Sequence, residues 1–134
     1  MPDRNWEQEY HRILADALGT GKVQVLPSRS EKRRHPRFKL RNAKVIVTEE
    51  VQHDIVDLSI SGLAFHSART YAVGERIMVS LRQIIAIGAE VLGSDALDGP
   101  DAPAPYRIRC RFVDPDYGLR FLVMAVEMGQ NGIL

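Results

Sequence analysis

From residue 37 to residue 113, apolar side chains recur at every second position, in short runs broken by Gly, Pro, Asn, Asp and Ser. A period of two sends successive side chains to opposite faces of an extended backbone, so each run describes a strand with one buried face. The clearest run is Tyr106–Val113, with Ile108, Cys110 and Phe112 on one side and Arg107, Arg109 and Arg111 on the other. Arg76–Leu81 alternates in the same way through Ile77, Val79 and Leu81, after a turn at Gly74. Phe38–Val47 is also β-like, but its apolar phase shifts from Phe38 and Leu40 to Ala43, Val45 and Val47. A bulge near Arg41-Asn42 accounts for the shift. Val51–Leu58 and Leu63–Ser67 flank a turn-like join, Ser59–Gly62. Gln83–Leu92 is apolar enough for a buried strand with Gly88 as its bulge, and Gly93–Pro105, with three prolines, reads as a loop. Short antiparallel strands joined by Gly/Pro turns predict a small barrel or sandwich. Strands alternating with long helices are absent, which argues against a doubly wound fold.

A helix is predicted at each end. Trp6, Tyr10, Ile13, Leu14, Ala17 and Leu18 share one face of residues 3–18, with Asp3 as cap and Gly19 as stop. That face is suited to cover the barrel or to join two subunits in a homodimer. Val23–Leu26 is a short strand candidate, and Pro27–Ser30 reads as linker. The division expected is therefore residues 1–27, helix and linker, and residues 28–134, a β-barrel domain with a C-terminal helix. At that end Asp114 can cap, Pro115 suits the first helical position, and Leu119, Leu122, Val123 and Val126 follow at helical spacing, with Gly129 able to stop the helix.

Composition narrows the class. With 134 residues, 45% hydrophobic and 26% charged, the chain can build one hydrophobic core, which excludes wholesale disorder and collagen-like or coiled-coil structure. The longest apolar runs, Ile84–Ile87 and Phe121–Val126, are far too short to span a bilayer, and Met1–Glu7 lacks the apolar stretch of a secretory signal. The single cysteine, Cys110, excludes an internal disulfide and a cysteine zinc cluster, and its alternation with Ile108 and Phe112 marks a small core residue. A cytoplasmic protein is expected. His11, His35, His53 and His66 lie at no metal-ligand spacing, Ser59 lacks a G-x-S-x-G elbow, and no P-loop is present. Neither a metal, a cofactor nor an enzymatic reaction is expected.

Charge is distributed unevenly. Arg29–Lys44 holds eight basic residues and one acidic, a surplus of seven that leaves the rest of the chain at −6 against a total of +1. Such a segment suits an anionic partner at one place, or a solvated basic arm. Within it, Lys32-Arg33-Arg34-His35-Pro36-Arg37 precedes the first strong strand. Pro36 biases His35 toward an extended backbone, so these guanidiniums lie on a stiffened loop and not on a helix face. Guanidinium donates paired hydrogen bonds to phosphate and stacks on bases. A second segment, Asp57-Leu58-Ser59-Ile60-Ser61-Gly62, joins two strands. Its carboxylate can accept from a guanine edge or a turn amide, its serine offers a hydroxyl, and its glycine permits a tight turn or a close approach. Alone, it is ordinary turn chemistry.

Taken together, Arg33–Arg37 and Asp57–Gly62 resemble the paired motifs of PilZ domains, R-x-x-x-R in an N-terminal loop and [D/N]-x-S-x-x-G between strands. Phe38 at the first strand, and Tyr106–Val113 followed by a helix, extend the resemblance over roughly residues 29–130. It implies a mostly β fold: a six-stranded antiparallel PilZ-type barrel with an N-terminal and a C-terminal helix. It further implies a non-enzymatic receptor for cyclic di-GMP, a bacterial second messenger. Carried over, Lys32, Arg33, Arg34 and Arg37 would grip phosphates and guanines, and Asp57 and Ser59 would contact a guanine. Gly62 would allow close approach, with Ser61 nearby; Arg29, His35 and Arg109 are additional candidates. A basic residue before the first motif arginine, here Lys32, goes with an intercalated nucleotide dimer in similar proteins. Many relatives have glycine where this chain has Arg109, and Arg107 and Arg111 read as solvated.

The resemblance implies signalling through a downstream protein partner, with binding ordering Arg29–Arg37 and thereby shifting the N-terminal helix. Two alternatives stand beside it: a ligand-independent PilZ-like adaptor, and an RNA- or DNA-binding module using the basic window.

Overall fold

The computed structural model of the protein describes residues 5–20, 23–26, 37–40, 43–48, 51–82 and 84–130. The basic arm, residues 27–36, and the expected bulge at residues 41–42 lie outside them. Helix α1 (Trp6–Thr20) is followed by strands β1 (Val23–Leu26), β2 (Arg37–Leu40), β3 (Lys44–Val47), β4 (Gln52–Leu58), β5 (Gly62–Ser67), β6 (Arg76–Leu81), β7 (Ile85–Ala96) and β8 (Tyr106–Phe112), then helix α2 (Pro115–Gln130).

Every strand pairing is antiparallel. Following hydrogen-bonded neighbours from β4 through β3, β6, β7, β8 and β5 leads back to β4, which closes a six-stranded barrel. Closure removes the open edges that a small sheet would otherwise expose. Strand β2 continues along β4 beyond β3, and β1 adds to β2. Phe38 faces Leu58 and Lys44 faces Asp54, so six steps along one strand oppose four along the other.

Alternation supplies the core. Val45, Leu58, Phe65, Val79, Leu81, Val91 and Ile108 are almost wholly buried, and α2 adds Phe121 and Leu122. The rings of Phe112 and Phe121 meet at 5.5 Å. Truncating such a ring to alanine costs about 3–5 kcal/mol, comparable to a large part of a small domain's stability. Asp114 caps α2 as its sequence predicts: its Oδ1 accepts from the Asp116 and Tyr117 amides at 3.1 and 3.3 Å. Buried Tyr10, Ile13 and Leu14 take up the apolar face of α1 within the chain, and the Tyr10 ring meets Phe38 edge-on at 6.3 Å. Across the helix pair, the Arg120 guanidinium lies 5.5 Å from the Trp6 ring. No described helix is long and apolar enough to cross a membrane.

Several local expectations are corrected. Asn5 caps α1, its Oδ1 accepting from the Gln8 amide at 3.2 Å, and Gly19 lies inside the helix, which runs on to Thr20. Strand β7 runs through Gly93–Ala96, read from its composition as loop, because Arg109–Tyr106 of β8 supply a ladder for it. Its burial alternates instead of being continuous, since one face of so small a barrel meets water, and Gly88 pairs regularly with Met78. The irregularity falls at Val91–Gly93 instead.

Candidate functional site

Two bulges shape the outer face of the barrel. In β4, Ile55 opposes Phe65 and Asp57 opposes Ala64, so Val56 is the extra residue. Ile55 and Leu58 are an odd number of positions apart, yet both are buried among the core. The bulge reconciles them and turns Asp57 to the other face. In β7, Val91 opposes Cys110 and Gly93 opposes Arg109, so Leu92 is extra and stands exposed. Asp57, Ala64, Arg109 and Gly93 therefore form one row across four strands. Between Asp57 and Arg109 that row holds only the small Ala64, which leaves space between the two strand positions.

That space is part of a cavity of about 280 Å³, lined by Arg37, Asp57, Ser59, Ser61, Gly62, Leu63, Ala64, Leu92, Arg109, Cys110 and Arg111. Arg37 begins β2, and its Nη1 donates to Asp57 Oδ2 at 3.0 Å. Asp57 is only 4% exposed, so its ion pair is far less screened than a surface one. Beside it, Ser59 Oγ accepts from the Ser61 and Gly62 amides at 3.3 and 3.2 Å, and the Ser59 amide donates to the Gly62 carbonyl at 2.8 Å. The Ser59 hydroxyl thus holds the turn in shape. A Cβ on Gly62 would overlap the Cys110 carbonyl oxygen, so glycine here serves the close approach of β5 to β8. A Cβ on Gly118 would overlap the Ile60 carbonyl oxygen, which seats the first turns of α2 directly on this turn.

The opposite wall belongs to β8. Arg109 Nε donates to Asp95 Oδ2 at 2.8 Å, and Arg107 Nη2 reaches the same oxygen at 3.3 Å. Arg111 Nη2 donates to Glu90 Oε1 at 2.8 Å. Hydrogen bonding from Arg109, with help from Arg107, holds the Asp95 carboxyl below the usual carboxylate range. Burial pushes the Cys110 thiol up to about 12, which leaves it un-ionised at neutral pH. Among the described residues, no group of His, Cys, Asp and Glu is placed to hold a metal ion.

Of the residues singled out in the sequence, Arg37, Asp57, Ser59, Ser61, Gly62 and Arg109 line this one cavity. Arg29, Lys32, Arg33, Arg34 and His35 lie outside the described residues. Arg111, read as merely solvated, also lines the cavity and is paired with Glu90. Three arginines alternating on one strand face were the available signal, since such a face calls for nearby carboxylates.

The geometry can be set beside known proteins. No curated protein matches the chain. The solved PilZ domain of YcgR from Escherichia coli with c-di-GMP superposes with a TM-score of 0.53 at 17% identity, covering 76% of this chain and 95% of that one. YcgR from Escherichia coli in complex with c-di-GMP gives a TM-score of 0.51 at 16% identity. That match covers 82% of this chain and 59% of the longer one. At these identities the likeness establishes the fold, a closed barrel with its helices. The sequence model of the PilZ domain matches residues 31–131, a stretch that contains both motifs and the whole barrel, and the chain belongs to the PilZ domain family.

Proposed function

We propose that the chain is a non-enzymatic receptor for cyclic di-GMP and that the cavity is its binding site. The observation that carries this reading is the Arg37–Asp57 pair, 3.0 Å apart at a cavity beside the Ser59–Gly62 turn. A guanine presents an N–H edge to a carboxylate and an O6/N7 edge to a guanidinium, so the pair offers both complements together. Lys32, Arg33 and Arg34 of the basic arm would grip the phosphates, with Arg29 and His35 as additional contacts. The c-di-GMP present with the YcgR domain, which shares this fold, supports the choice of ligand. The cavity is small beside a whole cyclic dinucleotide, so the basic arm supplies the remaining contacts.

In this reading residues 28–134 are the receptor domain and residues 1–27 its readout. Nucleotide binding orders the arm and changes how α1 meets the barrel, and a downstream protein reads the change. Calorimetric titration of the full chain with cyclic di-GMP tests the site. Wild type should bind at micromolar concentration or below. Arg37→Ala and Arg33→Ala should each weaken binding by roughly tenfold or more, the scale of one charge-assisted contact. A folded wild type that gives no binding heat and no competition sinks the proposal. Unchanged affinity in both variants removes the site assignment.

A further inference from the structure

Side chains two apart on a strand point the same way about 6–7 Å from one another, so Arg107, Arg109 and Arg111 crowd one face of β8. Two carboxylates of β7 moderate that crowding, and each is shared between two guanidiniums. Asp95 serves Arg109 and Arg107 at 2.8 and 3.3 Å; Glu90 serves Arg111 at 2.8 Å and Arg76 at 4.0 Å. Glu90 and Asp95 are five positions apart, which in a regular strand places them on opposite faces. The extra residue at Leu92 brings both to the arginine face. Four cations against two anions leave this face with an excess positive charge of two.

Only Arg109 and Arg111 of the four line the cavity. Asp95 takes Arg109 through Nε, and Glu90 takes Arg111 through Nη2. A guanidinium carries five N–H donors, so each pairing fixes the fork in place and leaves further donors for an incoming anion. The Arg109 guanidinium lies over Gly93 of β7, and in the cross-strand row only the small Ala64 separates Arg109 from Asp57, so no bulky side chain stands between the two walls.

We infer that Arg109 and Arg111 form a second anion-binding wall of the cavity, taking a phosphate of the cyclic dinucleotide from the side opposite Arg37, with Asp95 and Glu90 as their positioning carboxylates. This rests on the receptor reading above and adds a role for two residues of the last strand. The experiment is calorimetric titration of the full chain with cyclic di-GMP, for wild type, Arg37→Ala, Arg111→Gln, Arg111→Lys, Arg109→Gln/Arg111→Gln and Arg76→Gln. Circular dichroism of each variant checks folding.

The double variant should weaken binding by roughly tenfold or more. Arg111→Lys, which keeps the charge but loses the fork, should fall between wild type and Arg111→Gln and keeps the test open if the double variant misfolds. Arg76→Gln removes the same charge outside the cavity and should stay within about twofold of wild type. Wild-type affinity in both the double variant and Arg111→Gln, with Arg37→Ala impaired, overturns this inference and leaves the receptor reading intact. A loss in Arg76→Gln equal to that in Arg111→Gln also overturns it, because the effect is then a diffuse field. No binding by wild type removes the receptor reading itself.

Discussion

The two walls of the cavity use the same pair of functional groups, guanidinium and carboxylate, in different dielectric surroundings. On the β2–β4–β5 side, Asp57 is almost fully buried and Arg37 is about a quarter exposed at its side chain, so their contact is dominated by desolvation and direct hydrogen bonding. On the β7–β8 side, Arg109 and Arg111 are exposed and their carboxylates are partly so, which leaves those pairs open to water and salt. The first wall is therefore rigid and costly to break. The second is adjustable, and its strength is set by ionic conditions.

The largest effect that tests this contrast is Asp57→Ala. Arg37 would keep its place without its carboxylate, and we expect a loss of about 2–3 kcal/mol by urea denaturation. A loss under about 0.5 kcal/mol would make the Arg37–Asp57 pair equivalent to a surface pair and erase the distinction. Next comes Gly62→Ala, at the line where the walls meet. Its methyl group must displace the Cys110 backbone, at about 1–3 kcal/mol, read in the same assay.

Salt sharpens the contrast further. Between about 0.1 and 1 M salt the screening length falls from roughly 10 to 3 Å. The binding defect of Arg111→Gln should shrink across that range, whereas that of Arg37→Ala should persist. Equal salt dependence would show that both walls are solvated alike.

The smallest effect concerns Asp95. Its carboxyl titrates lower in the folded chain than its ordinary 3.8, so it binds protons less readily there than when unfolded. The resulting stability is complete above that ordinary value and is lost as pH falls through the lower folded one. Asp95→Asn should thus cost under about 1 kcal/mol near neutral pH and nothing in strong acid. A deficit that persists in acid would point to packing instead of charge.

These walls also differ in how readily they are read from the chain. Asp57, Ser59 and Gly62 fall within six residues, and the chemistry that shapes their turn is local. Arg37 precedes a recognisable strand, and the alternation of β6 and β8 fixes their buried faces directly. Glu90 and Asp95 gave no such signal. Strict alternation separates them, and only the β7–β8 register with its extra Leu92 brings them together. The same non-local ladder drew Gly93–Ala96 into β7 against the turn propensity of Gly, Ser and Asp. Sequence periodicity describes one strand at a time, and pairing supplies the remainder.

The missing side chain at Gly118 ties the Ser59–Gly62 turn to the C-terminal helix. Ile60 and the first turns of α2 touch backbone to backbone, with no flexible side chain between them to absorb a displacement. Any shift of that turn larger than a few tenths of an ångström is transmitted to α2. Because α1 packs along α2, the Ser59–Gly62 turn, the start of α2 and the N-terminal helix form one continuous chain of packed contacts.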